Sequence, residues 1–319
     1  MSSKIFWRLG LSLGCLACVG SSFAQETSFS TNVTSAKRGS FYPIYNSGAG
    51  QWIEPTAQMP FKQIDFLYIA FSHIYPTKNG LGAFMDLEGP RDANGEYHEK
   101  TNLSQLVQFS RQQNKDIKLI ISVGWGHQDW SYVQNDFANR VGGFVPSVVK
   151  FIRDNKLDGI DIDDESIGSN LSDCQASTGC ISDVNFDSFI RELRTGLNQA
   201  SQQDQKAYYI TITPAGDNPV GAANYLSTHI NINNIKYFDL INLQSYWAED
   251  WSKKMQAKLQ SVGYPLHKIS YGINAEKGCQ LQESNIVVGT GIFSWNLSED
   301  SKCNYAITQQ ISTAVQSSK

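Results

Sequence analysis

The sequence predicts a single-domain (β/α)8 barrel. Eight short apolar runs recur along the chain, each followed by a polar or helix-patterned stretch. Most runs are dense in Ile, Val, Tyr and Phe instead of strictly alternating, as expected of parallel strands covered on both faces. The chain has 319 residues, 41% of them hydrophobic, a size such barrels reach as one unit.

From the N-terminus, residues 1–24 read as a secretory signal peptide. Lys4 and Arg8 precede an apolar, small-residue run, and Ser22-Phe23-Ala24 is a small-x-small cleavage site. The run is too short for a membrane span. Cys18 admits a lipid anchor as the lesser alternative. An exported protein, extracellular or periplasmic, is expected. Residues 25–38 are rich in Ser and Thr and read as a loose arm, leaving 39–319 as the barrel.

Strands are expected at 40–45 (SFYPIY), 66–74 (FLYIAFSHI), 118–124 (KLIISVG), 159–163 (GIDID), 208–214 (YYITITP), 240–244 (LINLQ), 268–274 (KISYGIN) and 291–296 (GIFSWN). Helical spacing marks 102–113 and 144–153. Asp183 is a candidate cap for a helix through Leu197, with Phe186, Phe189, Ile190 and Leu193 on one face. Weaker helical patterns cover 252–261 and 306–315. A doubly wound open sheet is the alternative, but no glycine-rich phosphate loop follows the first strand. About sixteen residues separate the last two strands, too few for a second domain.

The formal net charge of −4 gives no basis for a nucleic-acid or anionic-membrane partner. Outside the leader the cysteines are Cys174, Cys180, Cys279 and Cys303. An even count in an exported chain suggests two disulfides, with three connectivities open. No His pairs with these cysteines at ligand spacing, so no metal is expected. No cofactor is expected either, and the protein is expected to be a monomer.

The fourth strand carries the chemistry. LDGIDIDDES, residues 157–166, places five carboxylates in eight residues and threads them with isoleucine. Successive strand side chains point to opposite faces. Ile160 and Ile162 should therefore face the covering helices, and Asp161, Asp163 and Glu165 the barrel interior. Alternate residues lie roughly 6.6 Å apart along a strand. The three acids climb the inner wall toward the C-terminal mouth, where barrel enzymes do their chemistry. Like charges this close cannot all ionise cheaply, so at least one pKa should rise, as a general acid near neutral pH requires.

This stretch resembles the signature of family-18 glycoside hydrolases, the chitinases and related endo-β-N-acetylglucosaminidases. Asp158, Gly159, Asp161, Asp163 and Glu165 match Asp-Gly-x-Asp-x-Asp-x-Glu. The resemblance extends from the first strand to Trp295. It implies that Glu165 protonates the glycosidic oxygen and that the substrate's own N-acetyl carbonyl attacks the anomeric carbon, the substrate-assisted route. It further implies that Asp163 holds the acetamido N–H and shares a proton with Asp161. Tyr246, in Gln244-Ser245-Tyr246, matches the tyrosine that steadies the carbonyl. Trp295 matches the tryptophan that floors the −1 sugar site. Gln244 is a further candidate for substrate binding, and Trp247 follows the tyrosine where the family often has Asp or Asn. Trp125, Trp130, Trp247, Trp251 and Tyr42 are further candidates for sugar subsites, since an indole or phenol face takes a sugar's apolar face.

Departures from the pattern bear on substrate. Asp164 stands where many chitinases have Trp, and Asp-Asp-Glu resembles the branch that cuts the chitobiose core of N-glycans, as does His127-Gln128. The third strand ends Ser122-Val123-Gly124-Trp125-Gly126, with its second glycine displaced. The first expectation is a secreted glycosidase cleaving β-1,4 bonds next to N-acetylglucosamine in chitin or chitooligosaccharides. The lack of an insertion before the last strand suggests an open groove and endo-type cleavage. Alternatives are an endo-β-N-acetylglucosaminidase acting on N-glycans, and a non-catalytic barrel that binds chitooligosaccharides. The expected partner in each case is an N-acetylglucosamine-containing glycan.

Overall fold

The computed structural model describes residues 31, 33–45, 51–87, 98–125, 129–164, 180–214, 229–246, 249–281 and 286–317. The eight apolar runs form β1 (Arg38–Pro43), β2 (Phe66–Pro76), β4 (Lys118–Val123), β5 (Gly159–Asp164), β6 (Tyr209–Pro214), β7 (Leu240–Leu243), β8 (Ile269–Asn274) and β9 (Gly291–Trp295). Each lies within two residues of its expected bounds. A ninth strand, β3 (Ala83–Asp86), folds back antiparallel on the end of β2. The parallel strands pair in the order β1-β9-β8-β7-β6-β5-β4-β2, and β1 pairs with β2 to close the barrel.

Alternation along the strands separates two cores. Ile160 and Ile162 face outward and pack with Ile210, Ile212, Phe186 and Phe189 in the layer between strands and helices. Phe41, Tyr68, Ala70, Phe71, Ile120, Leu240 and Phe293 fill the interior. The outer layer is sealed by α1 (Glu99–Gln113), α2 (Asp129–Ala138), α3 (Phe144–Asp154), α4 (Asp183–Asp204), α5 (Glu249–Ser261), α6 (Leu297–Ser301) and α7 (Ala306–Ser317). In α3 the buried set Phe144, Val145, Val148, Phe151 and Ile152 is the helical face expected from the sequence. Each such side chain contributes roughly 1.5–3 kcal/mol by leaving water. Among the described residues no helix is long and apolar enough to cross a membrane.

The structure departs from expectation at the cap of α4 and the end of the arm, and adds detail elsewhere. Ser182, not Asp183, caps α4: its hydroxyl accepts the Asn185 amide. The short α2 has no strong apolar period, and Asp136 within it accepts the amides of Ala83 and Gly143, anchoring the β3 hairpin. The end of the segment read as a loose arm is tied down, because Val33 is buried among Phe66, Ile120 and Leu240 at the barrel floor. Asn102 and Asn296, each in an Asn-Leu-Ser sequence, are buried, and the Asn102 amide donates to the Ile44 carbonyl at 2.8 Å. A disulfide joins Cys279 to Cys303, and Cys180 is also disulfide-bonded. Cys174 lies outside the described residues, as do the leader and most of the arm.

The first two letters of the motif are structural. Asp158 is clamped at the barrel floor by Arg111, by Lys206 at 2.9 Å and by the Leu119 amide at 2.8 Å. Gly159 is required by a close approach: a Cβ there would sit 2.2 Å from the Tyr209 carbonyl oxygen on β6. Gly159→Ala must therefore push β5 from β6. A loss of roughly 2–3 kcal/mol is expected from such overpacking, read as a lowered midpoint in chemical denaturation. An unchanged midpoint would mean that the two strands separate at no cost.

Candidate active site

The inward faces of β4 to β7 build a polar wall beneath the mouth. Register places Ser122 beside Asp161, Asp161 beside Thr211, and Asp163 beside Thr213. Ser122 donates to Asp161 at 2.9 Å, Thr211 at 2.5 Å, and Thr213 to both carboxylate oxygens at 3.0 Å. Asn242 on β7 also bonds Asp161, donates to the Thr213 hydroxyl at 3.1 Å, and accepts from Tyr68 at 3.2 Å. Asp161 is wholly buried. Burial pushes its carboxyl up to about 6, against the hydroxyl and amide donors that favour the charged form. One aspartate of the ladder thus has its pKa raised, and the cause is burial instead of the repulsion between neighbouring carboxylates that the sequence suggested.

Asp163 stands one step up the same face and is 3% exposed. The Gln244 amide donates to it at 3.3 Å from the end of β7. Its backbone is held from the other side by Gly124, which has φ +111° and where a Cβ would lie 2.8 Å from the Asp163 carbonyl oxygen. This close approach explains a glycine after Val123. Glu165 and Trp247 lie outside the described residues, as do His127 and Gln128.

Aromatic side chains cap the wall. Trp295, at the C-terminal end of β9, packs its ring 5.5 Å from Phe41 and 5.9 Å from Phe71. Its indole N–H donates to Glu276 at 3.2 Å, which fixes the ring orientation. Phe71 stacks in turn on Trp125 at 5.8 Å and 11°. Trp125 is 54% exposed, so one indole face is open to solvent at the mouth. Tyr246 stands edge-on to Phe293 at 6.1 Å, in room left by Gly272, where a Cβ would meet both rings. Asp163, Gln244, Tyr246, Trp295 and Trp125 therefore sit at or just beyond the C-terminal ends of their strands, with Asp161 lower on β5.

Other predicted residues do not join them. Tyr42 points outward, fully buried against Trp52 and Phe61, with its hydroxyl donating to the Ile53 carbonyl at 2.5 Å. It is a core residue, and Phe41 faces the barrel in its place. Two adjacent aromatics on one strand leave the inward one ambiguous by composition. Trp130 and Trp251 are likewise buried in the outer layer. Sequence reasoning missed Tyr68, Thr211, Thr213 and Asn242. Their signal was present: in YITITP and LINLQ the polar residues recur at every second place.

Asp164 faces outward, as expected, and is fully buried. It meets His229, Nδ1 to Oδ1 at 3.1 Å, behind the strand that carries the other acids. A separate groove between α3 and α4, lined by Val149, Arg153 and Arg191, lies on the outer flank and contains no residue of this wall.

Comparison with known proteins agrees with this architecture. The model of glycosyl hydrolases family 18 matches residues 38–318. No curated protein matches the chain. Among solved structures, the class V chitinase from Nicotiana tobaccum is 14% identical with a TM-score of 0.61, over 88% of this chain and 99% of that one. A family-18 chitinase from the chitin utilization locus of Flavobacterium johnsoniae is 18% identical with a TM-score of 0.58, over 88% and 94%. A chitinase-like agglutinin from Robinia pseudoacacia is 16% identical with a TM-score of 0.61, over 87% and 99%. At such identities the likeness to these structures is one of fold. The family match spans nearly all of the barrel, from β1 to α7, and the chain belongs to family 18 of the glycosyl hydrolases.

Proposed function

We propose that this protein is an exported glycosidase that hydrolyses β-1,4 bonds next to N-acetylglucosamine in chitooligosaccharides, with retention. The observation that carries this is the ladder of two buried aspartates beneath an aromatic floor, with Asp161 titrating at about 6. Glu165 gives its proton to the leaving oxygen. The substrate's acetamido carbonyl attacks the anomeric carbon, and Asp163 accepts the acetamido N–H. Asp161 takes up a proton from Asp163 as charge builds, because burial makes its protonated form accessible near neutral pH. Gln244 keeps Asp163 oriented, and the Tyr246 hydroxyl supports the carbonyl. Trp295 stacks under the −1 sugar. Export is supported by the leader pattern and by the Cys279–Cys303 disulfide.

A second reading keeps the chemistry and moves to the chitobiose core of N-glycans. Asp164 and His127-Gln128 favour it by sequence. Asp164, however, faces away from the mouth, so any effect it has on substrate choice is indirect. Digestion of chitotetraose and of a high-mannose glycoprotein, read by mass spectrometry, separates the two. Chitobiose from the first substrate alone supports the proposal. A glycoprotein trimmed to one N-acetylglucosamine supports the second reading. No product from either, with chitotetraose still bound, identifies a binding barrel and overturns both.

Trp125 tests the aromatic floor. Trp125→Ala should raise KM for chitotetraose about 5- to 10-fold, from a stacking contribution of roughly 1 kcal/mol. Its exposure means that the melting temperature should stay put. An unchanged KM would remove Trp125 from the sugar path.

A further inference from the structure

Asp164 is the residue between Asp163 and Glu165, yet it takes no part in the wall described above. It is buried completely, on the outer face of β5, with one side-chain neighbour of opposite character. His229 Nδ1 lies 3.1 Å from Asp164 Oδ1, and the His229 backbone N–H donates to Oδ2 at 3.3 Å. Both side chains are 0% exposed. The far ring nitrogen, Nε2, lies 2.8 Å from the Ile181 carbonyl oxygen, just before α4. The ring stacks on Phe186 at 4.4 Å and 15°. The His229 carbonyl accepts the side-chain amides of Asn234 at 2.7 Å and Asn231 at 3.3 Å, and both amides also donate to Asp187 on α4.

This histidine joins three segments: the end of β5, the start of α4, and the turn that leads to β7. In register, Asp164 stands beside Pro214, each the last residue of its strand. The clamp therefore lies where the ladder between β5 and β6 ends.

We propose that His229 is a positioning residue: through Asp164 it holds the end of β5, and so sets the backbone from which Asp163 and Glu165 are presented to the substrate. This rests on the glycosidase function proposed above.

The clamp is built for an imidazolium. Both ring nitrogens face acceptors, a carboxylate and a carbonyl, and only the doubly protonated ring can donate to both. A neutral ring would turn a lone pair toward one of them. Burial pushes the His229 pKa down, but the Asp164 charge and hydrogen bond, with the Ile181 carbonyl, outweigh it and hold the pKa above its ordinary value. Asp183, at the start of α4, adds attraction. Asp187 bears on the ring only through Asn231 and Asn234. The charged groups that surround His229 among the described residues are thus acidic.

The test uses the full chain with His229→Gln, Asp164→Asn and the double variant. Removing one member leaves an unpaired buried group, whereas the double variant leaves a neutral pair. With a fluorogenic chitotrioside, His229→Gln should lower kcat 10- to 100-fold with KM within threefold. The double variant should recover at least fivefold over His229→Gln. Single variants that keep kcat within twofold while losing only melting temperature would overturn the proposal. Hydrogen exchange read by mass spectrometry needs no activity. Residues 160–166 should lose protection in His229→Gln while β8 and β9 do not, and unchanged exchange would overturn the clamp even if the protein hydrolyses nothing. A wild type without turnover, but with the exchange change, overturns the glycosidase function and leaves the clamp standing.

Discussion

Glu165→Gln is expected to lower kcat on chitotetraose by on the order of 10²–10⁴-fold while leaving the melting temperature close to that of the wild type. Protonation of the leaving oxygen is the step for which the proposed mechanism has one donor. An amide of the same size cannot supply the proton. The substitution keeps the size and the polarity of the side chain, so binding of chitotetraose should survive. Steady-state kinetics together with calorimetric titration of the variant check both halves. Full activity in the variant would remove Glu165 from the acid role and end the proposed mechanism. Loss of binding along with turnover would mean that Glu165 holds the substrate instead of protonating it.

Asp161→Asn is expected to raise stability. The Asp161 carboxyl titrates at about 6 in the folded protein and at 3.8 in the ordinary state, because burial disfavours its charge. Between these values the folded protein binds a proton that the unfolded chain does not. The favourable contribution is present in full below about pH 4 and is lost as the pH rises through 6. Above pH 6 the buried carboxylate costs roughly 3 kcal/mol relative to its protonated form. Asn mimics that protonated form at every pH. The variant should match the wild type near pH 4 and exceed it by up to about 3 kcal/mol at pH 8, measured by urea denaturation across the range. Its kcat should fall by on the order of 10²-fold, since it can no longer take up a proton. A variant less stable than the wild type at pH 8 would show that the Ser122, Thr211 and Thr213 donors need the charge more than the fold needs its absence.

The gain in stability follows from where Asp161 sits. Asp161 lies at the bottom of the polar wall, fully surrounded, and its ionisation is a strain that the hydroxyls of β4 and β6 only partly relieve. A site that keeps such a group sacrifices stability for reactivity. Gly159, two residues earlier on β5, carries no chemistry at all and is there because β6 passes too close for a side chain.

Much of the fold was legible in the chain. Eight apolar runs with helical patterns between them sufficed for a barrel, and β3 escaped because four residues on the rim have no repeating environment to declare them. The inward set of β5 was equally legible, since the alternation of Ile and Asp is a local property of an extended backbone. The assignment of Tyr42 failed on β1 for the same local reason turned around. Phe41 and Tyr42 are both large and apolar enough for either face, and a shift of one residue exchanges them.

The sequence by itself determined the eight barrel strands and their order, the family signature on the fourth of them, and which carboxylates share a face. All of these depend on neighbours a few residues apart. Only the tertiary structure decided what those carboxylates touch. Asp161 meets Ser122, Thr211 and Thr213 across separations of 39, 50 and 52 residues, and Asp164 meets His229 across 65. Those meetings are set by the register between strands and by how the helices close behind them. No periodicity along the chain carries that information, because each partner satisfies its own local pattern equally well without the other.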